Sequence, residues 1–292
     1  MIICECGRAE GRILKEYAKI GKGTVLVTDG PLKYIEFESL NRYRDLLIHF
    51  MSTRHGGVSS GECSTLNLGL GRNDDRSNVI ENFRIICNAT SVNMESLVLT
   101  NQVHGTKVCR VYESDMGKGL LRESDLKGTD GFITTAPGVT MVTFHADCAP
   151  VFLFEPSAKA AALLHSGWKG TLADIVTKAM DEMKKIPGFD AGRVEAVIGP
   201  SIGFCCFEVD EDVYRQFRGK YDNGSFYSHI SGTKWKIDLK AIIRARLAEA
   251  GVDIRNIHDC GICTKCCKDL FFSYRGDRGR TGSMAAFMQI RQ

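Results

Sequence analysis

The chain has 292 residues, 43% of them apolar, enough to bury a core as one large domain or two small ones. Thirty-eight basic against 35 acidic residues leave a net charge of +3, too small for the field that a nucleic-acid or membrane partner requires. No window reaches the roughly 18 apolar residues of a membrane span, and residues 1–8 lack a charged leader followed by an apolar stretch, so a cytoplasmic location is expected.

Twelve cysteines in a chain of this size are then expected to be reduced or bound to metal rather than paired in a disulfide framework. No Pro/Ser-rich linker, charge run or internal repeat divides the sequence. A single domain over residues 1–292 is expected, with a small β-rich segment at about 1–50, where apolar stretches at 24–27 and 34–37 alternate with polar turns. The Gly-rich stretch from Gly56 to Gly71 carries too many Leu and Asn residues for a tether and reads as a binding loop. Residues 74–87 have helical apolar spacing behind an Asp-Asp-Arg-Ser opening that can cap a helix.

Short β-branched or aromatic runs at 97–99, 107–112, 131–134, 140–144 and 150–154, separated by Gly, Pro and Asp, predict successive strands, and 160–164 a buried one. Helical spacing returns at 171–186, followed by a strand at 194–198 and helices at 210–217 and 238–250, the last ended by Gly251. Strands and helices do not alternate strictly. The pattern predicts an α+β fold, mixed sheets with helices packed outside.

Three residues carry the chemistry. His104, Cys148 and His165 each sit in a Gly- or Asp-containing turn beside an apolar run, in Asn101-Gln-Val-His-Gly105, His145-Ala-Asp-Cys-Ala-Pro150 and Leu164-His-Ser-Gly-Trp-Lys-Gly170. Two imidazoles and one thiolate are the ligand set of a zinc site that keeps a position open for hydrolytic or Lewis-acid chemistry. Against this, a His or Cys beside an apolar run is more often a satisfied core residue, and no short HExxH-type spacing marks these as ligands. A further word, Cys260-Gly-Ile-Cys-Thr-Lys-Cys-Cys267, lacks the Cys-Pro that completes an iron–sulfur run, and a zinc knuckle needs a second ligand pair at a distance. Structural thiols, a second metal and redox chemistry all remain open there.

These words, together with Ser52-Thr-Arg-His-Gly-Gly-Val-Ser59, Leu66-Asn-Leu-Gly69, Asp130-Gly-Phe-Ile-Thr134, Ile198-Gly-Pro-Ser-Ile-Gly203 and Phe271-Phe-Ser-Tyr-Arg275, resemble in order those of the multicopper polyphenol oxidase/YfiH-like (laccase-domain) family. The resemblance spans Ser52 to about Ile290, and the family includes purine nucleoside phosphorylases. It implies a YfiH-like single domain with His104, Cys148 and His165 as metal ligands. It also implies purine nucleosides and phosphate as partners and Zn2+ as the metal, with Cu2+ a second candidate. The implied reactions are phosphorolysis of adenosine, inosine or methylthioadenosine to free base and pentose 1-phosphate, and hydrolytic deamination of adenosine to inosine. Neither nucleic acid nor membrane is implied, and the chain is expected as a monomer or homodimer.

Other roles follow from residue chemistry beside that resemblance. Cys148 also fits a nucleophile activated by His104 or His165. Asp147 is expected either to move a proton, to orient a histidine or to end a strand. Guanidinium groups bind phosphate bidentately, so Arg54 and Arg275 are candidate anion contacts. Lys169 stands where family members usually show Arg, replacing a planar fork by a point charge. Asn67 and Asp130 are candidates for sugar hydroxyls or for turns that bond their own backbone.

His145 stands where Thr is usual and admits three roles: fourth ligand, proton shuttle or packing. Two rival functions remain. A copper polyphenol oxidase would need many more paired histidines than the seven present. A non-catalytic zinc-binding interaction or envelope protein would show a saturated four-ligand site.

Overall fold

The computed structural model describes residues 15–292. The expectation about residues 1–8 and the first part of the β-rich 1–50 segment lie outside the described residues. In chain order the strands are β1 (Glu16–Lys19), β2 (Thr24–Asp29), β3 (Leu32–Phe37), β4 (Leu47–Ser52), β5 (Leu97–Leu99), β6 (Val108–Arg110), β7 (Gly131–Thr134) and β8 (Thr140–His145). They continue with β9 (Ala149–Glu155), β10 (Ala160–Ser166), β11 (Glu195–Ile198), β12 (Glu208–Asp210), β13 (Tyr227–Ser231), β14 (Lys234–Ile237), β15 (Ile257–Asp259) and β16 (Met284–Ile290). The helices are α1 (Glu38–Asn41), α2 (Arg76–Thr90), α3 (Trp168–Ala173), α4 (Ile175–Met183), α5 (Glu211–Lys220) and α6 (Leu239–Glu249).

Two sheets stack face to face. The first runs β1-β2-β3-β4-β16-β8-β5 and the second β15-β11-β9-β10-β7-β6, both mixing parallel and antiparallel pairs. A strand turns successive side chains to opposite faces, and the core records this. In the first sheet Met51, Val98, Met141 and Ala286 face the second sheet, whereas their neighbours Phe50, Leu99, Val142 and Phe287 pack with Val79, Phe83 and Ile86 of α2. In the second sheet Phe152, Phe154 and Leu163 face inward, while Val151, Leu153 and Leu164 pack with Val176 and Met180 of α4 and Ile243 and Leu247 of α6. The result is four layers, helix on sheet on sheet on helices, which is the expected α+β arrangement. The third, small sheet β12-β14-β13 packs with α5 beside this sandwich.

Several elements depart from the sequence reading. The helix expected at 171–186 is broken at Asp174, whose backbone is left-handed (φ 70°). Its side chain accepts from the Thr177 amide, starting α4, and pairs with Arg246 of α6 at 2.8 Å, so a tertiary ion pair fixes the break. The Asp-Asp-Arg-Ser opening precedes α2, but Asp75 makes no side-chain cap. Asp74 instead accepts from the Asp75 amide and Asn78. Strand β16 was not expected, yet it is wholly buried between β4 and β8 in the middle of the first sheet. Its seven residues are apolar except Gln289, and an apolar run of that length has no period to separate strand from helix.

Candidate active site

Strand register brings the chemistry-bearing residues to one end of the second sheet. Antiparallel β9 and β10 pair Ala149 with Ser166 and Pro150 with His165, so Cys148, just before β9, lies beside His165 at the end of β10. β10 pairs Leu164 with Gly131 of β7, which places Asp130 at the same end, and β7 pairs Gly131 with Val108 of β6, close after the loop carrying His104. His165 shares the face of Leu163 and therefore points between the two sheets. His145, at the end of β8 in the first sheet, lies 5.5 Å from it ring to ring.

The donor atoms of His104, Cys148 and His165 all lie within 4.8 Å of one another. Zinc bonds of about 2.0–2.3 Å in tetrahedral directions set ligand atoms ~3.3–3.8 Å apart, so two nitrogens and one sulfur within 4.8 Å of one another are close enough for small side-chain movements to seat one ion. Exposure grades across the three, from exposed His104 through half-buried Cys148 to buried His165. Gly167 makes the convergence possible. A Cβ there would meet Cys148 Sγ and His104 Cδ2, each at 2.9 Å.

Asp130 organises the group. Its Oδ1 accepts from His165 Nδ1 (2.9 Å) and the His104 amide (2.9 Å), and its Oδ2 from the amides of Gly105 (2.8 Å) and Val103 (3.2 Å). His165 is thereby left with Nε2 for a metal, and the loop holding His104 is fixed although His104 itself is left-handed (φ 61°). Burial raises the Asp130 carboxyl, but the His165 hydrogen bond and the amides outweigh it and hold it below its ordinary value. Burial likewise opposes charge on Cys148, yet the His165 charge and hydrogen bonds from His104 and His165 bring the thiol down to about 6. Against its own burial, the Cys148 thiolate and Asp130 raise His165 to about 9. These shifts favour a thiolate–imidazolium pair near neutral pH, in which the sulfur is in its reactive, ligating form and His165 must still give up a proton before it can bind a metal.

The remaining candidates sort by position. Arg275 and Lys169 line a cavity of about 920 Å³ that also reaches His104, Cys148 and His165. Arg275 stacks over Phe207 (5.6 Å) and donates to the Glu208 carbonyl, and Lys169 lies over Trp168 (5.5 Å). Arg54 does not line this cavity. Its guanidinium donates to the carbonyls of Ser64 and Lys268 and stacks on Phe272 at 4.7 Å.

Asn67 and Asp130 are both fully buried and are not among the residues lining the cavity. Asn67 ties Gly69, Asp74 and Ser283 together, as a turn residue does. Asp147 is left-handed (φ 86°), outside any strand, and its carboxylate accepts from Thr264 Oγ1 (2.6 Å), Ser273 Oγ (2.7 Å) and the Arg275 amide (2.6 Å). It braces the two loops behind the cavity and orients no histidine. His145 has both ring nitrogens engaged, Nδ1 with the Cys148 carbonyl (3.1 Å) and Nε2 with Thr143 Oγ1 (2.8 Å), which leaves none for a metal. Burial, and secondarily the His165 charge, hold it well below the imidazole range.

Arg72 and Lys127 also line the cavity and were not singled out from sequence. Arg72 follows directly on Gly69-Leu-Gly71, the end of the expected binding loop, which was the available signal. Lys127 lies in an irregular stretch with none.

Residues 48–291 match the family described as multi-copper polyphenol oxidoreductase laccase. The chain belongs to this family. It is 35% identical over 245 residues to the purine nucleoside phosphorylase YlmD of Geobacillus stearothermophilus, covering 83% of this chain and 89% of that protein. With the purine nucleoside phosphorylase YlmD of Bacillus subtilis it shares 30% over 269 residues, 91% of this chain and 97% of the relative. The crystal structure of the Bacillus licheniformis protein YfiH superposes with a TM-score of 0.85 at 30% identity, covering 91% of this chain and 99% of that one. The YfiH-like fold follows directly. No helix among the described residues is long and apolar enough to cross a membrane.

Proposed function

We propose that this chain is an enzyme that cleaves purine nucleosides with phosphate, giving free base and pentose 1-phosphate. The observation that carries the reading is the cavity itself. The His104–Cys148–His165 group opens into it beside four cationic side chains among the described residues, Arg72, Lys127, Lys169 and Arg275, and the one carboxylate lining it among those residues, Asp147, is already taken by three donors. Net positive charge in a concave site favours phosphate and the charge that develops on it. The apolar part of the lining, which includes Phe144, Trp168 and Phe207, suits a planar base. The relatives named as purine nucleoside phosphorylases point the same way.

His104, Cys148 and His165 are the residues that would hold a metal, zinc on donor chemistry or alternatively copper. Zinc bound by such a set supplies Lewis-acid polarisation and activation of water near neutral pH. The chain's own residues do the rest. Arg275 and Lys169 hold phosphate against the sugar carbon whose bond to the base breaks, Asp130 keeps His165 in one tautomer, and Trp168 and Phe207 exclude water from the base.

Hydrolytic deamination of adenosine to inosine and ammonia is the second activity we assign to this site. It is favoured by the engaged nitrogens of His145, which leave a three-ligand set with an open position rather than a saturated one.

One preparation tests both reactions. Inosine and adenosine are supplied with and without phosphate, following free base, pentose 1-phosphate and ammonia alongside bound zinc. Cleavage that requires phosphate, and loss of one zinc per chain together with turnover in Cys148→Ser, are expected. Base release indifferent to phosphate refutes phosphorolysis. Lost turnover in Cys148→Ser with the zinc stoichiometry of the unmutated chain shifts Cys148 from ligand to nucleophile.

A further inference from the structure

A second cluster of thiols lies apart from the cavity. Cys205, Cys206, Cys263 and Cys266 bring their sulfurs within 4.8 Å of one another, from two segments almost sixty residues apart in sequence. Cys266 Sγ lies 3.7 Å from Cys205 Sγ and 3.4 Å from Cys206 Sγ. Zinc–thiolate bonds of about 2.3 Å in tetrahedral directions put sulfurs ~3.8 Å apart, so these two distances are close to those of ligands on one ion and the 4.8 Å bound places the four sulfurs within small adjustments of it. A disulfide accounts for two sulfurs, not four, and each cysteine among the described residues is a free thiol. A multinuclear iron–sulfur cluster would hold its outer sulfurs farther apart than one ion does.

The surroundings are built for this convergence. The Gly203 amide donates to Cys263 Sγ at 3.2 Å, a hydrogen bond that favours a thiolate. A Cβ at Gly203 would press on Cys263 Cβ at 3.2 Å and Cys205 Sγ at 3.3 Å. The backbones are joined through the Thr264 amide and the Ser201 carbonyl at 3.1 Å. Of the Cys260–Cys267 word only Cys263 and Cys266 take part. The distant pair that a zinc knuckle requires is Cys205-Cys206, and its adjacency, awkward for disulfides, suits two neighbouring ligands of one ion.

We propose that Cys205, Cys206, Cys263 and Cys266 form a closed, four-thiolate structural site for a single borderline-soft divalent ion, zinc by preference. Four protein ligands leave no position for substrate, so the site is a staple and not a second reaction centre. It joins the two loops that end the cavity wall. One carries Ile202 and Phe207, and the other runs from Thr264 to the Ser273–Arg275 stretch that grips Asp147.

The test uses the full chain carrying Cys148→Ala, reduced, loaded with zinc and desalted. About one zinc per chain is expected, and X-ray absorption should show four sulfur neighbours at about 2.3 Å with no nitrogen or oxygen. Adding Cys266→Ser or Cys205→Ser should weaken that zinc at least tenfold. Absence of zinc from reduced Cys148→Ala, or zinc with nitrogen or oxygen neighbours, overturns the proposal without requiring the serine variants to fold. If the His104–Cys148–His165 site is the one that binds nothing, the unmutated chain also carries about one all-sulfur zinc, so the two failures are distinguishable.

Discussion

Asp130→Asn replaces one carboxylate oxygen by an NH2 group at the point on which the candidate active site hangs. The carboxylate accepts at both oxygens: Oδ1 takes His165 Nδ1 and the His104 amide, and Oδ2 takes the Val103 and Gly105 amides. A side-chain amide has one acceptor oxygen. Whichever way the substituted side chain is turned, its NH2 group faces two N–H donors, and a buried donor left unpaired costs about 1–3 kcal/mol. If the NH2 faces Val103 and Gly105, the His104 loop is released. If it faces His165, the ring loses the partner that fixes its tautomer. Loss of such a supporting contact typically weakens a metal by 10–100-fold, about 1.4–2.8 kcal/mol. Competition titration against a chromophoric zinc chelator, with thermal unfolding on the same samples, reads both consequences. Zinc affinity within about twofold of the unmutated chain, in a folded protein, would refute the idea that Asp130 holds the ligands in place.

Gly167→Ala is expected to weaken zinc at the His104–Cys148–His165 site at least tenfold while the fold persists. The backbone there (φ −74°) accepts alanine, but the new methyl meets Cys148 Sγ and His104 Cδ2 at 2.9 Å; unchanged zinc content by elemental analysis would count against this packing. The pH dependence of zinc binding follows from the pair that must lose its protons. Between about 6 and 9 Cys148 is already a thiolate and His165 still protonated, so from these two groups binding releases one proton and affinity rises about tenfold per pH unit. Below about 6 both protons must leave and the slope steepens; above about 9 neither remains and it flattens. Calorimetry in buffers of different ionisation enthalpy counts the protons, and a pH-independent affinity across this window would contradict the assignment. Arg54→Ala should lower stability by about 1–3 kcal/mol in denaturant unfolding, through lost hydrogen bonds and stacking, with the phosphate KM unchanged. Arg275→Ala should do the reverse, and a raised phosphate KM in Arg54→Ala would return that residue to the anion site.

Local chemistry was legible in the sequence where a residue type permits few roles. His104, Cys148 and His165 stood out as a ligand set, and the structure gathers them. Strands at 131–134, 140–144, 150–154 and 160–164 were read nearly to their ends because β-branched and aromatic runs were bounded by Gly, Pro and Asp. What failed was whatever depends on a distant partner. Asp130 reads as a turn residue until register sets it beside His165, 35 positions away. Arg54 shows no structural partner in the sequence, whereas in the fold the Lys268 carbonyl, 214 positions away, accepts from it. The break at Asp174 answers to Arg246, and the Cys263–Cys266 pair has no meaning without Cys205-Cys206.

The same register holds together a site spread over residues 104 to 165. Three of its four positions are tied to strand ends: Asp130 precedes β7, Cys148 precedes β9 and His165 is the next-to-last residue of β10. A slip of one residue in the β9–β10 pairing would turn His165 away from the inter-sheet face and exchange Leu163 with Leu164 between two separate cores. Burial of those apolar side chains therefore fixes the histidine's direction. Only His104 lies away from a strand end, and it alone of the three is exposed. The loop carrying His104 is the one Asp130 clamps with three amides, so the sheet supplies the geometry of Cys148 and His165 directly and lends it to His104 through a single carboxylate.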